Sequence, residues 1–207
     1  MSRADRDRAP AVAHAPPNGD DAVVADRDWL SGADRLPSPN QDARPAGMEV
    51  DLLVIHNISL PPGQFGDRWI EDLFLNRLDP SAHRYFAAIA GLRVSAHLLI
   101  RRAGELIQFV PLSRRAWHAG QSCFAGRTAC NDFSIGIELE GADQIPFTAE
   151  QYRCLARVTQ QIRSQYPAIE SGRIVGHSDI APGRKTDPGP AFDWVHYRAL
   201  LTALQTG

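Results

Sequence analysis

His177, Lys185 and Asp187 fall within eleven residues of one another in a stretch rich in Pro and Gly, IVGHSDIAPGRKTDPGP at 174–190. An imidazole, an ammonium and a carboxylate on a loop stiffened by Pro182, Pro188 and Pro190 can be held in a fixed mutual aim. A further imidazole, His56, closes the apolar and β-branched run VDLLVIH at 50–56, where a buried strand leaves the core. His177 follows the short run RIVG in the same way, and two strand ends can be neighbours however far apart they lie in the chain. Two imidazoles and one carboxylate make a three-ligand zinc set, His56, His177 and Asp187, that leaves the fourth tetrahedral position to water. An open position points to catalysis rather than to a structural metal. Spacing alone does not choose this set, because His83, His97, His118 and His196 offer competing imidazoles and a lone His at a strand end is more often structural.

A metal-bound water still benefits from a base that takes its proton as it attacks. In IGIELEG, Glu138 and Glu140 share one face of an expected strand, since side chains repeat every second residue. Glu138 lies further inside the strand and is the expected base; the alternative is a row of carboxylates facing solvent. Lys and Arg together number 22, and Lys185 is the only lysine. A compact point charge beside Asp187 suits an oxyanion better than a guanidinium does, although a single Lys in an Arg-rich chain also arises by chance. Trp117 and His118 in RAWHAG suit either a substrate wall or the core. Arg93 and Arg127 suit either substrate carboxylates or ordinary solvated surface. Together these groups imply metal-assisted hydrolysis of an amide or ester.

Strands must deliver these residues, and helices must cover the strands. DRWIEDLFLN and SAHRYFAAI have helical spacing; SAHLLIRR and GELIQFV read as two strands joined by a tight turn at Ala103-Gly104; DFSIGIELEG is another strand. Thr148 with Gln151 forms a capping box that opens a helix, and Pro167 stops it. RIVGH is a last short strand, and FDWVHYRALLTAL is a C-terminal helix. Residues 29–47 are punctuated by Pro and lack a clear pattern, so they are expected to wrap the domain. The fold class is α/β: a single domain over 26–205 with a central mixed β-sheet flanked by helices. Residues 1–25, with few bulky apolar side chains, are expected to be a disordered tail.

The bulk numbers exclude several classes. At 207 residues and 43% hydrophobic, the chain can build one proper core. A net charge of -2 lacks the basic footprint of a nucleic-acid binder, and no apolar run approaches the ~20 residues that span a bilayer. Arg and Asp occupy the N-terminus where a secretory signal has its apolar core, so a cytoplasmic location is expected; a monomer is a separate expectation that the sequence does not decide. Cys123, Cys130 and Cys154 form no CxxC pair and read as reduced bystanders.

Taken as whole segments, LLVIHNISLPPGQFG, LRVSAHLLIRR, RAWHAG, CNDFSIGIELEG and GHSDIAPGRKTDPGPAFDW resemble, in the same order, the cytosolic 1,6-anhydro-N-acetylmuramyl-L-alanine amidases of the AmpD type. The resemblance runs from about Asp28 to Tyr197. It implies one zinc ion on His56, His177 and Asp187, with Glu138 and Lys185 as the catalytic pair. It also implies the fold of the peptidoglycan recognition proteins, and as substrate an anhydromuropeptide cut between the lactyl group of anhydro-N-acetylmuramic acid and L-alanine. Asn57, Arg93 and Trp117 would line the groove for sugar and stem peptide. Some relatives have Arg just before CND where this chain has Ala129; if that Arg holds the stem-peptide carboxylate, either Arg127 substitutes for it or affinity for the peptide end differs. A muropeptide-binding module without turnover, and a broader amidase acting on polymeric peptidoglycan, are the alternatives.

Overall fold

The computed structural model describes residues 26–205. The tail expected over 1–25 lies outside the described residues. Six strands form the central sheet: β1 (Asp34–Arg35), β2 (Leu52–Ile58), β3 (Leu98–Ile100), β4 (Leu106–Gln108), β5 (Ser134–Glu140) and β6 (Ile174–Gly176). Their order is β1-β4-β3-β5-β2-β6, with every pair parallel except β3 with β4. The sheet is mixed, as expected. Its two long strands, β2 and β5, lie at the centre, and near-continuous aliphatic runs are what a strand covered on both faces requires.

Three helices flank the sheet: α1 (Trp69–Phe74), α2 (Ala149–Gln165) and α3 (Trp194–Gln205). Leu53, Ile55, Ile135 and Ile137 pack beneath Leu155, Val158 and Ile162 of α2 and Tyr197 of α3. On the other face Leu99 and Ile107 meet Ile70, Leu73 and Phe74 of α1. The odd-numbered residues of β5 therefore belong to the α2 side. Strand periodicity sends Ser134, Gly136, Glu138 and Glu140 the opposite way, so every side-chain oxygen of this strand lies on one face.

The capping box at Thr148 forms: its Oγ1 accepts from the Gln151 amide at 3.1 Å and Gln151 Oε1 accepts from the Thr148 amide at 3.1 Å. Gln151 Nε2 also donates to Glu140 O at 2.9 Å, tying the start of α2 to the end of β5. Thr148→Ala is worth about 1 kcal/mol on the scale of such caps.

Three expectations change. The helix over 67–76 is confined to Trp69–Phe74, and Asn76 follows it in the left-handed region at φ 59. Of SAHRYFAAI only Phe86–Ile89 is helical, because Asp79 Oδ1 captures both the amide and the hydroxyl of Ser81, and His83 Nδ1 accepts from the Tyr85 amide. Short polar side chains there offer the backbone partners that a helix would otherwise supply. The lead-in over 29–47 contributes a strand, β1, and a second two-residue strand, Gln41–Asp42, paired with Arg115–Ala116. It also delivers Arg44, whose guanidinium donates to the carbonyls of Asn131, Asp132, Leu112 and Ser134. Burial lowers its pKa to about 10, and the segment leading into β5 is pinned by it.

His97 precedes β3 and is fully buried. Its Nδ1 accepts from the Gly136 amide at 3.0 Å and its Nε2 donates to Arg114 O at 3.0 Å, so the ring is bonded as a neutral imidazole. Burial lowers its pKa from 6.5 to about 3, with the positive charge of Arg44 and the neighbouring His56 adding to the shift. The folded state thus binds fewer protons than the unfolded one; this stability is complete above about pH 6.5 and is lost as pH falls towards 3. His97→Asn, which keeps an acceptor for Gly136 but takes up no proton, is expected to flatten the pH dependence of urea unfolding in that window by up to about one proton. Equal slopes for the two proteins would assign the acid sensitivity elsewhere.

Candidate active site

Parallel pairing of β2 with β5 sets His56 opposite Glu138, and parallel pairing of β6 with β2 sets Gly176 opposite Ile55. His177, the next residue, opens a single helical turn, His177–Ile180, braced by the Gly176 amide donating to Asp179 Oδ2 at 2.7 Å. The chain then returns through turns rather than an extended loop, and the Ser178 amide donates to Asp187 O at 2.9 Å. Asp187 is thereby brought back over the two strand ends. His56 and His177 are 1% and 2% exposed.

The three candidate ligands converge. His56 Nδ1 and His177 Nδ1 are 2.9 Å apart, and each is 3.0 Å from Asp187 Oδ2. Ligand atoms on a tetrahedral zinc, each about 2.0–2.1 Å from the ion, lie about 3.3 Å from one another, so this triangle needs little expansion to hold one. Burial lowers the pKa of His56 to about 4, with His177 and Lys185 adding and Asp187 opposing, which leaves a lone pair available at neutral pH. Burial alone would raise Asp187, but the adjoining His177 and His56 imidazoles outweigh it and hold the carboxylate well below its ordinary range. His177 Nε2 faces Ala119 O at 3.1 Å; a carbonyl can only accept, so Nε2 carries the proton and Nδ1 is bare towards the cluster. Two neutral imidazoles and one carboxylate are the donor set zinc takes in catalytic sites, and the residues fit it.

A cleft of about 470 Å³ opens beside the cluster. Glu138 and Lys185 both line it. Glu138 is 9% exposed, and its Oε2 is buried without a hydrogen-bond partner among the described residues. Burial raises its pKa well above the ordinary carboxylate value, the charge of Asp187 adds to this, and Lys185 opposes it. Glu140 shares the strand face but not the cleft: it accepts from the Gly66 and Arg102 amides at 2.7 and 3.1 Å and lies 3.5 Å from Arg101. That carboxylate is a strut, and Glu138 is the one left free.

The cleft also takes in Asn57 and Trp117. Asn57 Nδ2 donates to Asp143 Oδ1 at 2.7 Å and to Pro188 O at 3.1 Å, so its amide anchors the loop that carries Asp187. Trp117 lines the cleft beside Leu60, Leu73, Phe74 and Ile89, and its Nε1 is a buried donor without a partner among the described residues. Arg93 and Arg127 are not brought in. Arg93 is exposed and bonded only to the neighbouring Leu92 O. Arg127 lies 2.6 Å from Asp51 Oδ2 and stacks 3.7 Å over the Phe133 ring, a commitment made by a short hairpin outside the cleft lining. Ala129 is likewise absent from that lining and sits at φ 57.

Sequence spacing gave no sign of three supporting groups. Asn131 Oδ1 accepts from the amides of His118 and Ala119, Arg184 Nη2 donates to Ala119 O, and His118 Nδ1 sits 2.9 Å from His56 Nε2. Each is a contact between distant segments. From the sequence His118 reads as a competing imidazole and as an ambiguous member of RAWHAG.

Residues 46–190 match the family described as N-acetylmuramoyl-L-alanine amidase. The chain is 58% identical over 180 residues to the 1,6-anhydro-N-acetylmuramyl-L-alanine amidase AmpD of Citrobacter freundii, an alignment covering 87% of this chain and 96% of the relative. A crystal structure of an AmpD selenomethionine derivative superposes with a TM-score of 0.83 at 58% identity, covering 84% of this chain and 97% of that one. The Escherichia coli amidase AmiD, solved with the substrate anhydro-N-acetylmuramic acid-L-Ala-D-γ-Glu-L-Lys, superposes with a TM-score of 0.54 at 29% identity, covering 76% of this chain and 60% of that one.

Proposed function

Because the chain belongs to the N-acetylmuramoyl-L-alanine amidase family, we propose that it hydrolyses the amide between the lactyl group of 1,6-anhydro-N-acetylmuramic acid and L-alanine, with one zinc ion held by His56, His177 and Asp187. The observation that carries this reading is the convergence of three ligand atoms beside a cleft that Glu138, a buried carboxylate with an unpartnered oxygen among the described residues, also lines. Identity over nearly the full length of an anhydromuropeptide amidase supports the substrate. A bound zinc supplies an acidified water and polarises the scissile carbonyl.

This chain's own groups do the rest. Glu138 accepts the proton of the attacking water as the new C–O bond forms, and returns it to the alanine nitrogen as the C–N bond breaks. One water is consumed, and a lactyl carboxylate and a free peptide amine are produced. Lys185 places its ammonium near the carbonyl oxygen as that oxygen gains negative charge. Trp117 gives the cleft an aromatic wall beside its apolar lining. Asn57 acts from behind, by holding Pro188 and with it the aim of Asp187.

Lys185→Ala is expected to lower kcat about 10²- to 10³-fold, on the scale of losing an oxyanion donor. Lys185→Arg is expected to rescue little, because a planar fork does not place a point charge in the same spot. Removing the Lys185 charge also takes away a force that lowers the Glu138 pKa, so the acid limb of the pH–rate profile is expected to move to higher pH. Wild-type turnover by the Arg variant would assign the oxyanion to another group.

Among the described residues no helix is long and apolar enough to cross a membrane. We extend the reading to a cytoplasmic monomer that acts on released turnover fragments; the anhydromuropeptide named for the relatives supports the fragment substrate. Mass spectrometry of parallel incubations with anhydro-N-acetylmuramyl tripeptide and with intact peptidoglycan tests the substrate. Free tripeptide from the first and little product from the second is the expected result. Equal cleavage of both would make this a broader wall amidase, and cleavage of neither a binding module.

A further inference from the structure

The two imidazoles of the cluster are oriented by different devices. His177 meets a backbone carbonyl directly, at Ala119 O. His56 has no such partner among the described residues; its Nε2 lies 2.9 Å from His118 Nδ1, His118 Nε2 lies 3.1 Å from Ser134 Oγ, and Ser134 Oγ lies 2.6 Å from Cys130 O. Building on the metal reading above, we propose that His118 and Ser134 are positioning residues that relay the acceptor character of the Cys130 carbonyl to His56, and so fix which His56 nitrogen faces the metal.

The direction of every proton follows from the far end of the chain. Cys130 O accepts only, so the Ser134 hydroxyl donates to it and turns its lone pairs to His118. His118 Nε2 must then carry the proton that fills the 3.1 Å contact, which leaves Nδ1 bare. A bare Nδ1 at 2.9 Å requires the proton of His56 to sit on Nε2. His56 Nδ1 is therefore the lone-pair nitrogen, and it is the atom that meets His177 and Asp187. The hydrogen bonds set this tautomer without a metal, and it is the tautomer that a metal needs.

The surrounding fold is built to admit the relay. His118 crosses His56 edge-on, with ring centroids 5.0 Å apart and planes at 87°. Its ring lies over Gly136 of β5 so closely that a Cβ there would fall 2.5 Å from His118 Cγ. Glycine at this one position, between Ser134 and Glu138 on the polar face of the strand, leaves room for the ring. Asn131 holds the His118 amide at 3.1 Å from its Oδ1, which sets where the ring begins.

The test is zinc affinity by chelator competition on the purified full chain, alongside thermal unfolding of the metal-free proteins. Ser134→Ala is expected to weaken zinc binding about 10-fold, and His118→Phe about 10- to 100-fold, the range for partners of a ligating histidine. His118→Asn puts an amide oxygen near the Nδ1 position and is expected to recover much of the loss. An amide oxygen has no tautomer to choose, so Ser134→Ala is expected to cost nothing further in the His118→Asn background. That non-additivity separates a relay from mere packing, which would give equal losses in both backgrounds. Wild-type zinc affinity in Ser134→Ala, or equal losses in the two backgrounds, would overturn the relay while leaving the metal site standing. Failure of the wild-type protein itself to take up zinc would overturn the metal reading and the relay with it.

Discussion

His177→Ala is expected to purify without stoichiometric zinc and to lose hydrolysis at the same time, by roughly 10³-fold or more. The size follows from what the cluster does: Lewis-acid stabilisation is worth several kcal/mol, and each 1.36 kcal/mol is tenfold in rate. Two remaining ligands, His56 and Asp187, hold a divalent ion far less well than three. The loss is expected to be local. His177 sits at the rim of the sheet, whereas the main apolar cluster beneath α2 and α3 is built from Leu53, Ile55, Ile135, Ile137 and Leu155. Added zinc should raise the unfolding temperature of the wild type and leave that of His177→Ala unchanged, because only a folded state with a complete site is stabilised by its ligand. Metal analysis and turnover measured on the same preparations check both halves. An active, metal-free His177→Ala protein would remove the metal from the mechanism.

Glu138→Gln is expected to separate chemistry from metal binding: zinc stays, and turnover falls about 10²- to 10⁴-fold. Glutamine keeps the volume in a position that is 9% exposed, and the carboxylate makes no bond to the three candidate ligands that its replacement would break. What disappears is a group able to take a proton. Because burial and Asp187 push the Glu138 pKa up, the wild-type rate is expected to rise with pH as this carboxyl ionises, and the residual activity of Glu138→Gln to lack that limb. Glu140→Gln provides the contrast. Its carboxylate braces the Gly66 and Arg102 amides, so it is expected to cost stability and to leave zinc content near one per chain. Near wild-type kcat in Glu138→Gln together with collapse in Glu140→Gln would exchange the two roles.

What the sequence disclosed divides along a physical line. Long aliphatic runs announced β2 and β5 because strands covered on both faces must be apolar throughout, and the residues at their exits, His56 and Glu138, stood out as polar interruptions. The capping box at Thr148 was legible because it is a contact between residues three apart. Lys185 was legible by composition. Contacts between distant segments left no such trace. Nothing in the spacing of Arg127 announces Asp51, which claims it, and nothing near Asn57 announces Asp143 and Pro188, which make this cleft residue a brace as well. β1 escaped notice for the same reason: two residues of no particular pattern become a strand only because the edge of β4 offers them partners. His118 reads from the sequence as a substrate wall, a core residue or a competing imidazole. Its link to Ser134 needed the register that lays Gly136 beneath its ring.

The most direct test of the central claim is hydrolysis of anhydro-N-acetylmuramyl tripeptide in ¹⁸O-labelled water, followed by mass spectrometry, with metal-free and zinc-reloaded enzyme side by side. The account predicts free, unlabelled tripeptide and anhydro-N-acetylmuramic acid carrying one ¹⁸O in its lactyl carboxylate, from the reloaded enzyme alone. Intact substrate after incubation with the zinc-loaded enzyme, or undiminished product from the metal-free enzyme, would contradict it.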